Sequence, residues 1–277
     1  MSSGSVKSSQ ERLGHSRFFG DYRAERWVGD CALAELIPTV PEHEVQAHTH
    51  DDAHFLLLLG GTYLSSASGM PAECSVPTLI LNPPGTEHRD RFRGCEGRFL
   101  TLSIPAAAWS VASNFRELPR QALKLSMSGM VRAMRLRWEL SNWNDASPLV
   151  VEDGIETLLD ECTIVHSVRM KSVPAWLERA RQRLHDDWAT TPSLAELAKE
   201  VDVHPVYFSR AFRQRYACTP GEYLRRCRLG QALQLLRDPR LGLAEIALLC
   251  GYVDQSHFSN SFRRLLGMTP LQFRRLN

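Results

Sequence analysis

A chain of 277 residues, 43% of them apolar, has the length for two domains with buried cores. No apolar run approaches the roughly 18 residues of a membrane span. The formal charge of +2 is uneven, with 17 Lys and Arg against 21 Asp and Glu in residues 1–173 and 16 against 10 in residues 174–277. A basic back half behind an acidic front half is the asymmetry expected when one part touches nucleic acid. The cysteines at 31, 74, 95, 162, 218, 227 and 250 show no CxxC pair and no regular spacing, so neither a zinc ribbon nor a disulfide framework is suggested. They read as packing residues in a reducing compartment. The opening MSSGSVKSSQER lacks the apolar core of a signal peptide, so a cytoplasmic, soluble chain with a frayed start over 1–26 is expected.

From Trp27 to Ile104 short apolar runs such as CALAELI, FLLLLGGTYL, PTLILNPPG and GRFLTLSI alternate with Gly, Pro, Asp and Asn. This spacing predicts an all-β sandwich or small barrel over 27–104. Inside it, HTHDDAHF gathers three histidines within seven residues. His48 and His50 share one strand face, and His54 has the same parity. His88 ends the later stretch NPPGTEH, whose Pro-Pro-Gly turn returns the chain alongside. Neutral imidazoles are donors of intermediate softness that suit Zn, Ni, Cu or Fe. Four of them closing a tetrahedral site would follow the structural pattern rather than the catalytic one. The same residues also fit the mouth of a pocket for an organic effector, and the pattern alone does not choose. Arg89, Arg91 and Arg93 offer either a receptor for an anionic effector or a solvated strand face.

After Pro105 the texture turns helical. Residues 120–143 and 148–166 carry apolar side chains at helical spacing and predict two helices, a relay or dimer surface within 105–166. The short polar stretch SVRMKSVP places a linker at 167–173, and Pro174 suits the first turn of the next helix.

The back half repeats itself. YFSRAFRQRYACTPGEYLRR (207–226) and HFSNSFRRLLGMTPLQFRRL (257–276) match at seven of twenty positions, and LAELA (194–198) and LAEIA (243–247) precede them. Each copy predicts a short helix, a tight connection at Asp202 or Gly251, a longer helix and a stop at Thr-Pro, which is a helix-turn-helix. Ser193 with Glu196 reads as a capping box, Asp254 as an N-cap and Gly267 as a left-handed end. His204 stands where Asp254 stands in the other copy, with Pro205 behind it. Phe208, Ala211 and Phe212, and Phe258, Ser261, Phe262 and Leu265, form stripes that should pack inward. The opposite stripes, Val206, Ser209, Arg210 and Arg213 and then Ser256, Ser259, Asn260 and Arg263, have the reach and chemistry for base edges and phosphates. An ordinary solvated face is the alternative, and duplication in register with basic charge tells against it.

Residues 174–277 resemble the AraC/XylS family DNA-binding domain, above all in IALLCGYVDQSHFSNSFRRLLGMTPLQFRR (246–275). The resemblance implies recognition helices at 205–216 and 255–266 that enter major-groove segments about 34 Å apart. It places Val206, Ser209, Arg210, Gln255, Ser256, Ser259 and Asn260 on the base-reading surface, with Arg213 and Arg263 on phosphates. His204 departs from the usual small cap and Ala217 from the usual Gly. His48-x-His50, His54 and Gly61, followed by Pro83-x-Gly85-x-x-His88, resemble the two cupin motifs, with His54 in place of the usual Glu. Together these imply two domains: an N-terminal all-β cupin-like barrel plus linker helices, and a C-terminal all-α domain with two helix-turn-helix units. The implied function is a non-enzymatic, sequence-specific transcriptional regulator that senses a small molecule or one transition metal ion (Zn, Ni, Cu or Fe). The implied partners are double-stranded DNA, the effector, a second copy in a homodimer and RNA polymerase, with no membrane. A metal-dependent cupin enzyme with a DNA-binding tail, opposed by His54, and a constitutive DNA-binding protein with a dimerising front domain are the other readings.

Overall fold

The computed structural model describes residues 11–74, 76–170, 173–216 and 218–276. Ala217 and residues 171–172 of the expected linker lie outside the described residues. The chain divides into two compact units, one reaching residue 124 and including 139–152, the other formed by 125–138 with 153–277.

The first unit is rich in sheet. Its strands are β1 (Glu11–Leu13), β2 (Asp21–Val28), β3 (Cys31–Ile37), β4 (His48–His50), β5 (Ala53–Leu64), β6 (Glu73–Cys74), β7 (Thr78–Asn82) and β8 (Arg91–Ile104). Helix α1 (Ala106–Ser113) and strand β9 (Leu123–Lys124) follow. Seven strands make one sheet in the order β2-β3-β8-β5-β7-β9, with β6 on β5, and β1 pairs separately with β4. Among the described residues no pairing joins β2 to β9, so the sheet is open where a closed barrel was expected. The central strands β5 and β7 are buried on both faces, which is why their sequences read as unbroken apolar runs. Leu36, Leu56, Leu58, Ile80, Phe92 and Phe99 fill one side of the sheet.

Three expectations are corrected. Strands begin at Glu11, inside the stretch 1–26 that was expected to fray, because β1 pairs with β4 and β2 pairs along β3 through a turn at Gly29. Being largely solvated, β2 lacks the apolar alternation that would have marked it. The helix expected from residue 120 starts later, since Leu123 and Lys124 pair with Leu81 and Ile80; α2 is Met127–Ser141. Helix α3 (Ser147–Met170) outruns its expected end and takes in four residues of the expected linker.

The second unit is helical. It contains α4 (Ala175–Asp186), α5 (Leu194–Glu200), α6 (Pro205–Tyr216), α7 (Pro220–Leu235), α8 (Leu243–Leu249), α9 (Gln255–Leu266) and α10 (Pro270–Leu276). Leu177, Leu184, Leu197, Phe208, Phe212 and Leu224 form the core of the first repeat. In the second repeat Ile246, Ala247, Phe258, Phe262, Leu266 and Phe273 are buried. Thr-Pro does not merely stop a helix; it starts the next one. Thr219 Oγ1 accepts from the Glu222 N–H while the Thr219 N–H donates to Glu222 Oε2, and Thr269 with Gln272 repeats the arrangement.

Helix α7 joins the two repeats through Arg228, whose guanidinium donates to the carbonyls of Trp188 and Thr190 and to Thr191 Oγ1 and lies over the Tyr252 ring. Truncating Phe262→Ala removes a fully buried ring, and urea unfolding is expected to show a loss of about 3–5 kcal/mol. Ser256→Ala on the exposed side of the same helix should stay within about 0.5 kcal/mol.

Candidate functional site

The two repeats present two similar helices, α6 and α9. In the first, Ser193 Oγ accepts from the Glu196 N–H at 3.1 Å and the Ser193 N–H donates to Glu196 Oε2 at 2.7 Å, completing the capping box of α5. The turn that follows needs a left-handed residue. Asp202 supplies φ 57° and Gly251 φ 76° at the equivalent place. Gly251 has no substitute here, because a Cβ would lie 2.6 Å from the Ala189 carbonyl oxygen.

The helix starts differ as their sequences do. Asp254 Oδ1 accepts from the His257 N–H at 2.7 Å, whereas His204 reaches the Val206 N–H with Nδ1 at 3.3 Å. Gly267 closes α9 in the left-handed conformation.

Phe208 and Phe212, and Phe258 and Phe262, are fully buried. The face across each helix is therefore turned outward. Val206, Arg210 and Arg213 on α6 are exposed, as are Gln255, Ser256, Asn260 and Arg263 on α9, while Ser209 and Ser259 are half-buried. Among the described residues, none of the guanidiniums of Arg210, Arg213 and Arg263 is tied up in an ion pair. Tyr207 and His257, in the first turns of the two helices, share this exposure and were not singled out from the sequence. The inward stripes differ in two details: Ala211 is half-buried, and so is Leu265, with Leu266 taking the core position.

A second cluster lies in the sheet unit. His48 and His88 exchange both backbone hydrogen bonds, at 2.9 and 3.0 Å, and the Gly85 N–H donates to the His50 carbonyl at 2.9 Å. Gly85 turns at φ 73°, which brings the strand end of NPPGTEH back alongside HTH. As a result one ring nitrogen each of His48, His50 and His88 lies within 4.8 Å of the others, all three side chains being buried. The His54 ring packs beside them, its centroid 4.4 Å from that of His50 and 5.7 Å from that of His88, but its nitrogens are not in this group. The chain bends at Asp51 and Asp52 between β4 and β5, and His54 Nε2 instead faces the Asn82 amide at 3.1 Å.

The partners of the rings fix where their lone pairs point. A carbonyl only accepts, so His48 donates from Nδ1 to the Gln46 carbonyl at 2.9 Å and keeps Nε2 free. His88 Nδ1 lies 3.2 Å from Asp90 Oδ2, and among the described residues its buried Nε2 has no partner. Burial, and then the neighbouring imidazoles, pull His50 down to about 2; burial also lowers His48 and carries His54 well below its ordinary value. These three rings are held neutral, the form that binds metals. Burial alone would raise the Asp90 carboxyl, but hydrogen bonds from His88, Tyr63 and Ser65 outweigh it and hold the group low. Asp90, Asn82 and Tyr63 were missed from the sequence. Asp90 shares the parity of His88, and that was the available signal.

The cluster opens on a cavity of about 510 Å³, mouth included, with Phe18, Phe19, Leu56, Phe92 and Phe99 in its walls. Phe18 packs on His50 and His54 and Phe19 on His48. The two aspartates of HTHDDAHF hold this segment: Asp52 accepts from the Ser16 N–H and meets His15 Nδ1 at 2.6 Å, and the Asp51 N–H donates to the Leu13 carbonyl. Arg89 is spent on the Val45 carbonyl, Arg91 on Glu42 and Arg93 on Glu73. All three make internal contacts, and Arg91 also lines the cavity.

Residues 197–276 match the family described as "Helix-turn-helix domain". The probable transcriptional regulator LumQ of Photobacterium leiognathi is 38% identical over 81 residues, 29% of this chain, so that this chain spans a third of that relative. The HTH-type transcriptional activator RhaS of Citrobacter koseri is 25% identical over 88% of this chain and 92% of its own length. Among solved structures, the C-terminal domain of AraT, a response regulator from Geobacillus stearothermophilus, aligns with 39% of this chain and 89% of its own at 30% identity, with a TM-score of 0.37. The duplicated helices form a helix-turn-helix domain. It is a domain of the AraC type. Removing the cap with Asp254→Ala is expected to cost about 1 kcal/mol and to speed hydrogen exchange at the His257 amide before the rest of α9.

Proposed function

We propose that this chain is a sequence-specific DNA-binding transcriptional regulator in which α6 and α9 are the recognition helices. One observation carries the reading: the corresponding helices of the two repeats bury equivalent aromatic pairs and leave equivalent polar and cationic faces in solvent. On α6, Val206, Ser209 and Arg210 face the bases and Arg213 a phosphate. On α9, Gln255, Ser256, Ser259 and Asn260 face the bases and Arg263 a phosphate. Asn and Gln suit adenine and Arg suits guanine. The match of residues 197–276 supports this assignment.

The sheet unit is the sensor in this reading, a cupin-like fold with its effector at the histidine cluster. The donor set fits a transition metal ion, Zn, Ni, Cu or Fe: three imidazoles converge, and two have their outer nitrogens fixed by Gln46 and Asp90. His48, His50 and His88 would hold the ion, with His54 outside the set. A bound ion supplies a divalent charge and a Lewis-acid position for a donor atom of an effector. Asp90 orients His88, and Phe18 and Phe19 exclude water from the rings. Effector occupancy regulates only by favouring one DNA-binding state over another. A homodimer and contact with RNA polymerase complete the proposal. No enzymatic role is proposed.

Selection of duplexes from a random pool tests the DNA reading; failure of the wild-type chain to enrich any sequence would overturn it. Asn260→Ala should relax the preference at one base pair at a cost of about 1–3 kcal/mol. Arg263→Ala should weaken binding across sequences and reduce the salt slope by about one. Elemental analysis tests the metal reading. Stoichiometric metal is expected in the wild type and none in His48→Ala/His50→Ala, with affinity lowered about 10–100-fold in Asp90→Asn. A folded wild type that stays metal-free when all four ions are supplied would make the cluster an organic effector pocket.

A further inference from the structure

Residues 127–138 of α2 belong to the helical unit. Met130, Ala133, Met134 and Leu136 are buried there, and the start of the helix reaches α7, where a Cβ on Gly230 would lie 2.8 Å from the methyl of Met127. Two arginines of this segment end on helix termini. Arg135 donates from Nε to the Leu265 carbonyl at 2.9 Å and from Nη2 to the Arg264 carbonyl at 3.1 Å. Arg137, fully buried, donates from Nη2 to the Leu276 carbonyl at 2.5 Å, at the last residue of α10.

The carbonyls of Arg264 and Leu265 lie in the last turn of α9, where a helix has no partners of its own to offer. Gly267 satisfies the carbonyl of Arg263. Arg135 takes the next two. Its planar fork spans adjacent carbonyls with a fixed geometry that an ammonium on a flexible stem does not reproduce, and its charge complements the negative end of the helix dipole. The core contacts of Phe258 and Phe262 fix which face of α9 is buried, but a helix held by one stripe of side chains can still tilt along its length. A clamp at the C-terminal end, opposite the Asp254 cap, removes that freedom.

We infer that the DNA-binding module of this chain includes the first part of α2, and that Arg135 is a positioning residue for α9. It fixes the angle at which Gln255, Ser256, Ser259 and Asn260 meet the groove. The inference rests on the reading of α9 as a recognition helix. It predicts a defect in discrimination confined to one segment of the binding site.

The test uses the full chain and the duplex that the wild type enriches from a random pool, with Asn260→Ala marking the segment read by α9. The fraction folded at the assay temperature is checked by circular dichroism. Folded Arg135→Ala is expected to bind about tenfold more weakly and to tolerate base changes in the α9 segment while still rejecting them in the α6 segment. Arg135→Lys, which keeps the charge and loses the fork, is expected to recover affinity in part with discrimination still reduced. A folded Arg135→Ala that enriches the same sequence at unchanged affinity would overturn the inference. So would equal loss in both segments, the outcome of a purely structural role. If Arg135→Ala does not fold, Arg135→Lys decides alone: reduced discrimination in the α9 segment supports the inference and wild-type discrimination overturns it. A wild type that enriches nothing removes the DNA reading itself and is a separate result.

Discussion

Two phenylalanines one helical turn apart, completely buried, decide how each of the exposed helices is turned. Phe208 and Phe212 do this for α6, and Phe258 and Phe262 for α9. Burying each ring is worth about 1.5–3 kcal/mol, so rolling either helix far enough to expose its pair would cost more than any exposed polar contact returns. The outward faces follow from that constraint. The two repeats are then tied together by groups that satisfy backbone carbonyls. Arg228 holds the loop at 188–191 beneath α7, and the same loop crowds Gly251 in the turn of the second repeat. The helical unit is thus a pair of aromatic cores connected by arginine-to-carbonyl hydrogen bonds.

The histidine cluster obeys a different constraint. Backbone pairing brings His48 and His88 together before any side-chain chemistry is considered. The outer nitrogens of both rings are then committed, which leaves inner lone pairs facing one small volume. A buried polar atom left without a partner costs about 1–3 kcal/mol, and among the described residues no protein group meets His88 Nε2. Any ligand that accepts this lone pair recovers that cost. Burial also holds His48 and His50 neutral, which reduces the competition from protons that weakens histidine sites. The aspartates between the histidines serve the same place from outside, fastening the segment that carries Phe18 and Phe19 over the rings.

The helical unit was legible in the sequence because its signals are local. Caps, turn residues and apolar stripes, which lie within a few positions of one another, placed the two long helices, and the family resemblance supplied the bounds 205–216 and 255–266 that the structure shows. The meaning of Thr-Pro was misread because a proline stop and a proline start look alike until the Glu or Gln three residues on is counted. In the sheet unit, β9 was lost inside a helical pattern because two residues give no periodicity, and its strand character comes from β7. His54 was counted with the other histidines by parity, and its ring does stand 4.4 Å from that of His50, but its Nε2 faces Asn82, a partner that no spacing announces. Asp90 went unnoticed between arginines that drew attention by their charge, although parity put it on the face of His88. The roles of Asn82, Tyr63 and Arg135 depend on neighbours 28, 27 and about 130 residues away, and no local pattern announces contacts of that span.

The two exposed helices are not equivalent, and the difference is consistent across levels. Helix α6 is capped by an imidazole at 3.3 Å and carries the short Val206 and Ser209 beside Arg210. Helix α9 has a carboxylate cap at 2.7 Å, a left-handed glycine at its end and two carbonyls held by Arg135. It also carries Gln255 and Asn260, whose amides can pair with a base through two hydrogen bonds. Such bonds reward a helix only if its axis is held to a fraction of an ångström, whereas a small apolar side chain against a thymine methyl tolerates displacement. The more rigid fastening therefore lies on the helix whose side chains depend on it most.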